Sequence, residues 1–279
     1  MKFRMLMAIL AAPLFLLAQP ETEVFVFDLD MAAKSITNPK NISNNPGYDN
    51  QPSFVTDSTL VFAYSVHGQP DILFYELTSG YSIRLTDTPG GEYSPTPTPD
   101  ESSFSFIRLD PDGKQLLYKL GKDKKAEPLH NTLVIGYHAW INHDELLAFV
   151  LGEPSTLVKV NTTDGSHKTL DSNIGRSLHK HPKSGKMLYI SKSNSDWTIN
   201  SWDPKRGTIE TVTKTLAEQE DFCIHPNGIL LMGMGDQLYY SQHGQWKPLA
   251  NVGAFGIKNI SRLAVSPNGK RLALVGELQ

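Results

Sequence analysis

Apolar and polar positions alternate along most of this chain in short runs, and these runs recur at a regular interval. Alternation over a short run predicts a half-buried β-strand. Six turns, each followed by an apolar run, fall at Asp57, Asp100, His143, Lys183, Asn227 and Asn268. Their spacings are 43, 43, 40, 44 and 41 residues. A repeat of about 40–45 residues that contains several strands is typical of a β-propeller blade.

Each repeat contains four predicted strands: a small-residue strand before the turn, an apolar strand after it, and two more. The third reads as "DILFYEL" from Asp71 and the more polar fourth as "YSIRLTD" from Tyr81. The sixth repeat has only its first two strands, whereas two unassigned strands begin at Glu23 and Lys34. We therefore predict an all-β, six-bladed β-propeller with four strands per blade. The N-terminal strands would complete the last blade, closing the ring and removing exposed sheet edges.

One predicted strand contains prolines at alternate positions. The sequence "GGEYSPTPTPDESSFSF" (residues 90–106) places proline at positions 95, 97 and 99. Proline donates no backbone hydrogen bond, so within a sheet it is confined to edges and bulges. Because the three prolines share one parity, they can all face the unpaired edge of an innermost blade strand. A polyproline II linker is the alternative interpretation.

The composition is that of an ordinary globular protein. The 279 residues are 39% hydrophobic and 20% charged, with a formal net charge of −3. No basic excess indicates a nucleic-acid partner. Cys223 is the only cysteine, so no intramolecular disulfide can form, and its apolar surroundings predict a small buried side chain.

The first residues have the pattern of an export signal. Lys2 and Arg4 precede an apolar run over residues 5–17, and Ala18, Gln19 and Pro20 offer a cleavage zone. The run is shorter than the ~20 residues that span a bilayer. We predict a cleaved signal peptide over residues 1–19 and a single propeller over residues 20–279, periplasmic or secreted, with no membrane span in the mature chain. An uncleaved N-terminal anchor is the alternative.

Three segments resemble a known repeat family. The segment "TDTPGGEYSPTPTPDESSFSFIRLDPDGKQLLYKL" from Thr86 is similar to the WD40-like (PD40) propeller repeat of TolB and related exported bacterial proteins. "HPNGILLMG" from His225 and "VSPNGKRLALV" from Val265 resemble the core of the same repeat. The resemblance implies the propeller fold but no single function, because that repeat occurs in peptidases, lyases and scaffolds. TolB has an α/β domain before its propeller, for which we expect no room here, so its envelope role is not carried over.

The loops that enter the innermost strands carry the candidate binding residues. Such loops converge at one end of a propeller channel, where ligands commonly bind. Tyrosines there suit sugar rings or peptide side chains, and carboxylates and arginines would orient the ligand, although each tyrosine could instead cap the core. The predicted ligand-binding residues are Tyr48, Asp49, Glu92, Tyr93, Tyr137, His138, Arg176, His179, Asp221 and Arg262.

Two histidines and two carboxylates form a second, overlapping set. His179 occupies a position where the other five repeats have small residues, so we expect it to project toward channel water. With His138, Glu220 and Asp221 it could supply acid–base groups or metal ligands. The spacing matches no known metal motif, and we predict neither a metal nor a cofactor.

The sequence favours a binding or scaffold module over an enzyme. No G-x-S-x-G segment and no phosphate-binding loop is present. We expect a monomer that recognises a protein, peptide or carbohydrate partner at the channel mouth. The alternative is a hydrolase or lyase with His138, His179, Glu220 and Asp221 as catalytic residues.

Overall fold

The structure of the protein is a computed structural model that describes residues 20–121 and 125–279. The predicted signal peptide over residues 1–19 lies outside the described residues. Within those two ranges the chain forms 24 strands and a short 3-10 helix at Val252–Phe255, and it contains no α-helix. Nothing in the described part is a helix of the length and apolarity that a membrane crossing requires.

The strands form six antiparallel sheets of four strands each, which are the blades of a propeller. Blade 1 comprises β3 (Asn50–Phe54), β4 (Thr59–Val66), β5 (Gln69–Glu76) and β6 (Ser82–Arg84). Blade 2 comprises β7 (Gly91–Pro97), β8 (Phe104–Leu109), β9 (Gln115–Leu120) and β10 (Ala126–Pro128). Blade 3 comprises β11 (Ile135–Trp140), β12 (Glu145–Val150), β13 (Thr156–Asn161) and β14 (His167–Ser172). Blade 4 comprises β15 (Ile174–Lys180), β16 (Met187–Ser191), β17 (Thr198–Trp202) and β18 (Ile209–Lys214). Blade 5 comprises β19 (Phe222–Ile224), β20 (Leu230–Met234), β21 (Gln237–Gln242) and β22 (Gln245–Asn251). Blade 6 comprises β23 (Ile257–Val265), β24 (Arg271–Leu278), β1 (Glu23–Asp30) and β2 (Ser35–Asn41). The predicted six-bladed propeller is confirmed.

Blade 6 is assembled from both ends of the described chain, as the strand pattern predicts. Strand β24 pairs with β1 along a register that runs from Glu23 opposite Gly276 to Asp28 opposite Arg271. The Asp28 carboxylate also forms an ion pair with the Arg271 guanidinium. At Gly276 the sheet leaves no space for a side chain, because a Cβ would lie 2.6 Å from Ile257 Cγ2 and 2.8 Å from the Lys258 carbonyl oxygen.

The proline run lies in an innermost strand, and a β-bulge accommodates one of its members. Strand β7 is paired on one side only, with β8. The Thr98 N–H donates to the Ser103 carbonyl at 3.0 Å, so the nitrogens of Pro97 and Pro99, which alternate with it, point away from β8. Pro95 lies in a break in the register between Tyr93 and Thr96, directly after Ser94, whose φ is +53°. A bulge leaves its extra residue unpaired, so the proline costs no ladder bond there.

Apolar side chains fill the spaces between neighbouring blades. Leu147 of blade 3 and Tyr189 of blade 4 belong to one buried cluster, and Leu238 of blade 5 and Leu274 of blade 6 belong to another. Cys223 is buried in the second cluster, as predicted. Each fully buried side chain of leucine size stabilises the fold by about 1.5–3 kcal/mol. Because the apolar positions face adjacent blades, the polar positions of the innermost strands line the axis.

Candidate functional site at the channel mouth

A cavity of about 320 Å³ occupies the central channel, and every blade contributes to its wall. We call it the channel cavity. Its lining includes Gln51, Ser53, residues 94–97, 137–140 and 176–180, Asp221, Arg262 and Leu263. Six of the predicted site residues are among them: Tyr137, His138, Arg176, His179, Asp221 and Arg262.

Arg262 is the best-anchored cation at the mouth. Its Nε lies 3.5 Å from Asp221 Oδ2, its Nη2 donates to the Tyr137 hydroxyl at 3.1 Å, and its Nη1 donates to the Ser261 carbonyl at 2.7 Å. Asp221 Oδ1 in turn accepts the Leu263 N–H at 3.1 Å. Burial raises the pKa of Asp221 to about 6, although Arg262 and then Arg176 lower it. The pair therefore joins blades 5 and 6 through an ion pair that is poorly solvated.

Arg176 is held less firmly than Arg262. Its Nε lies 3.9 Å from Glu220 Oε2, while Glu220 Oε1 forms an ion pair with Lys192. The Arg176 Nε is buried and has no hydrogen-bond acceptor among the described residues. Arg176, Glu220 and Asp221 also line an adjoining cavity of about 300 Å³, the lateral cavity, together with Trp197. Glu220 thus lies beside the channel cavity rather than in its wall.

Tyr48 and Tyr93 lie next to each other at the mouth, with ring centroids 6.2 Å apart in an edge-on arrangement. Burial raises the pKa of the Tyr48 hydroxyl to about 12, Arg262 and Arg176 lower it, and Tyr137 and Tyr93 raise it. Tyr137 lines the channel cavity, whereas Tyr48 and Tyr93 are not in its wall. All three predicted tyrosines are partly buried.

His138 is buried and is oriented by a hydrogen-bond network between blades 2 and 3. Its Nε2 lies 2.6 Å from Ser105 Oγ, which also accepts the Trp140 Nε1–H at 2.9 Å. Burial lowers the pKa of His138 to about 3, so the ring is neutral at physiological pH. Its Nδ1 has no hydrogen-bond partner in the described structure.

His179 lines the channel cavity and is half-buried, in agreement with the prediction that it projects toward the channel. Its Nε2 lies 3.1 Å from Ser177 Oγ, and its ring packs edge-on against Phe222 at 4.9 Å. Burial lowers the pKa of His179 to about 4. Ser177 is itself committed to the backbone of Phe222, since its Oγ lies 3.1 Å from the Phe222 carbonyl and 3.3 Å from the Phe222 nitrogen. Because the Ser177 hydroxyl is engaged by this backbone, the pair does not have the geometry of a catalytic triad.

Asp49 and Glu92 do not line the channel cavity. Both are fully buried and occupy equivalent positions in blades 1 and 2. Asp49 Oδ1 accepts the Ser65 N–H at 2.7 Å, and Glu92 Oε1 accepts the Thr88 hydroxyl at 2.7 Å. Burial raises the pKa of Asp49 to about 6 and also raises the pKa of Glu92. Their surroundings give them structural roles in the entry to each blade.

Exposed apolar side chains lie at the mouth end of four of the six blades. Neighbouring strands of a blade are antiparallel, so the innermost strand of each blade starts at the mouth of the channel and the second strand ends there. The residues at these positions are Leu109, Val134, Leu151, Met234, Phe255 and Leu278, which we call the apolar rim. The other exposed large apolar residues of the described chain lie on outer strands or at the far turn: Tyr81, Ile83, Ile209 and Val212. The mouth face is thus apolar at its periphery and polar at its centre.

Several channel residues are not evident from the sequence. Ser105 and Trp140 orient His138, and Lys180 lines the channel cavity while donating to the Ile141 carbonyl at 2.7 Å. Gln51 Oε1 accepts the Ser94 N–H at 2.8 Å, which ties the bulge of blade 2 to blade 1. Among residues 20–121 and 125–279, no group of three or more His, Cys, Asp or Glu is arranged to hold a metal ion.

Comparisons with known proteins identify the fold class and no closer relationship. The sequence matches no protein-family model and no curated protein. Among solved structures, the chain is similar to a candidate TolB from Agrobacterium tumefaciens, with a TM-score of 0.73 at 11% identity, over 93% of this chain and 99% of that one.

Two further solved structures share the fold at lower similarity. TolB from Acinetobacter baumannii aligns with a TM-score of 0.58 at 15% identity, over 92% of this chain and 64% of that protein. An oligogalacturonate lyase in complex with manganese aligns with a TM-score of 0.58 at 12% identity, over 86% of this chain and 80% of that one. At such identities the likeness establishes a TolB-like β-propeller fold and leaves the site to be interpreted from its own residues.

Proposed function

We propose that this propeller is a binding module that receives a protein or peptide partner at its channel mouth. The observation that carries the proposal is the apolar rim around a polar cavity. Exposed apolar residues concentrated on one face mark interaction surfaces. The channel cavity alone holds only a short segment, and the rim offers contacts to the rest of a larger partner.

A protein or peptide fits this arrangement better than a free carbohydrate. A carbohydrate could stack on Tyr48 or Tyr137, but it would leave the exposed rim residues Leu151 and Leu278 uncovered. A protein partner would cover them while inserting a polar group among the tyrosines and arginines. We propose further that the module acts in the periplasm or outside the cell, on the strength of the export pattern in its first residues.

A lyase or hydrolase is the second candidate function. The observation in its favour is that two neutral imidazoles, His138 and His179, adjoin one cavity, since a neutral imidazole can accept a proton. One structural neighbour is an oligogalacturonate lyase. For both histidines, however, Nε2 is engaged by a serine, so a catalytic role would require Nδ1 to reach the substrate.

Partner capture with rim variants tests the proposal. The double variant Phe255→Ser/Leu278→Ser alters the rim at blade 6, and Ile209→Ser/Val212→Ser removes equally exposed apolar groups from the outer strand β18. We expect the wild type and the β18 variant to retain the same envelope partner, and the rim variant to lose it. Equal capture by all three would contradict the proposal. Formation of unsaturated products from polygalacturonate, abolished in His179→Ala, would support the lyase instead.

A further inference from the structure

The charges around the channel cavity are unbalanced. Three cations line it, Arg176, Lys180 and Arg262, against the single carboxylate of Asp221. His138 and His179 add no charge at neutral pH, because burial lowers their pKa values to about 3 and 4. The cavity is therefore positive within a chain whose formal net charge is −3. A low-dielectric channel of one sign concentrates ligands of the opposite sign.

The three cations differ in how much of their hydrogen-bonding capacity is used. Arg262 is 9% exposed and is engaged by Asp221, Tyr137 and the Ser261 carbonyl. Lys180 donates to the Ile141 carbonyl. Arg176 lies 3.9 Å from Glu220, a carboxylate that also pairs with Lys192, and its buried Nε has no hydrogen-bond partner in the described structure. A guanidinium carries five N–H donors in a planar fork.

Neutral polar atoms without partners adjoin the same cavity. His138 Nδ1 and Ser94 Oγ are buried and have no hydrogen-bond partner among the described residues, and both side chains belong to residues of the cavity wall. Buried polar atoms are almost always satisfied, so an exception calls for a water or a ligand. A guanidinium nitrogen, a ring nitrogen and a hydroxyl of cavity-wall residues are thus buried without a hydrogen-bond partner in the described structure.

We infer that the ligand of this site carries a carboxylate, and that Arg176 is the residue that anchors it. This inference rests on the proposed function and specifies the chemistry of the inserted group. A planar carboxylate accepts two parallel hydrogen bonds from a guanidinium. The compact ammonium group of lysine acts as a point charge and does not offer this geometry. Tyr137 lines the same cavity as Arg176 and supplies an aromatic ring to its wall. Because only Arg176 of the three cations is weakly paired, the site suits a monoanion better than a phosphate dianion.

Paired probes test the carboxylate directly. Binding of acetyl-trialanine is compared with that of its C-terminal amide, and galacturonate with galactose, by calorimetry at millimolar concentrations, with inorganic phosphate as a further probe. We expect one acid to bind at least tenfold more tightly than its neutral counterpart. The peptide pair and the sugar pair distinguish a peptide terminus from a uronate. Equal affinity within both pairs, no binding, or binding of phosphate alone would overturn the inference.

Arginine variants locate the anchor. Arg176→Gln should abolish the preference for the acid, Arg176→Lys should weaken it, and Arg206→Gln, which removes the same charge from an exposed turn, should leave it unchanged. An unaltered preference in Arg176→Gln would overturn the assignment. If that variant does not fold, Arg176→Lys decides: weaker acid binding supports the anchor and unchanged binding contradicts it. Partner capture that persists in a folded Arg176→Gln protein would refute the anchor while leaving the proposed binding function intact.

Discussion

Asp221 Oδ2 lies 3.5 Å from Arg262 Nε, and this contact joins blade 5 to blade 6 at the mouth of the channel. Both side chains are largely buried, and the permanently charged Arg262 guanidinium favours the ionised form of Asp221. We expect Asp221 to titrate with a pKa of about 6. Replacing Arg262 with methionine removes the principal group that opposes the effect of burial, and should raise that pKa by about 1 unit or more. Carbon-13 NMR of the Asp221 carboxyl group measures its pKa in the wild type and in Arg262→Met.

Asp49 should make the stability of the fold depend on pH. Burial raises its pKa from 3.8 to about 6, so the folded state binds this proton more tightly than the unfolded state. The free energy of unfolding should therefore fall as pH rises from about 4 to about 6. In Asp49→Asn this loss should be absent, which would leave the variant more stable above pH 6 by up to about 3 kcal/mol.

Urea unfolding at pH 4, 5, 6 and 7 measures this difference. Asp112→Asn, in the exposed turn between β8 and β9, is the matched control and should follow the wild type. Parallel curves for wild type and Asp49→Asn would show that Asp49 has the same pKa in the folded and unfolded chain, and would contradict the prediction.

Ser105 should contribute more to stability than a typical serine. It is fully buried and serves both Trp140 Nε1 and His138 Nε2, so Ser105→Ala leaves two buried polar atoms without partners. We expect a loss of about 1–3 kcal/mol in the free energy of unfolding. Ser102→Ala, at an exposed position of the preceding turn, should change it by less than about 0.5 kcal/mol. Equal effects of the two changes would mean that water replaces the Ser105 hydroxyl.

Gly276 should tolerate no side chain. A Cβ there would meet the Lys258 carbonyl oxygen at 2.8 Å, and a backbone atom in a paired strand cannot move away cheaply. Gly276→Ala should lower the free energy of unfolding by about 1–3 kcal/mol. At Gly152 the nearest atom would lie 3.3 Å away in an exposed segment, so Gly152→Ala should have a smaller effect. Thermal unfolding of both variants checks the order.

The repeat spacing was sufficient to predict the ring and its closure, because each repeat carries the same alternation and only two strands were left over at each end. The site was only partly predictable. Gln51 and Ser94 adopt φ values of +57° and +53° in bulges of β3 and β7. A bulge shifts which side chains face the axis, and strand alternation cannot reveal it. Asp49 and Glu92, both predicted to bind ligand, precede these bulges and are buried outside the wall of the channel cavity.

Side-chain contacts between blades could not be predicted from the sequence either. The position of His138 was predictable from its repeat, but its partner Ser105 lies 33 residues away on a strand of another blade. Likewise, Arg262 reaches Tyr137 across 125 residues. The periodicity of the sequence shows which residues are equivalent between blades. It does not show which side chains contact each other across the channel, because those contacts depend on how the blades pack.

The pairing of β1 with β24 also constrains how the ring is completed during folding. Strands β1 and β2 pair with each other, but the second edge of β1 is covered only when β24, at the other end of the described chain, joins it. Blade 6 is therefore complete only when the two ends of the described chain meet. Until then the edge of β1 is open to any other extended segment, including the same strand of another nascent chain.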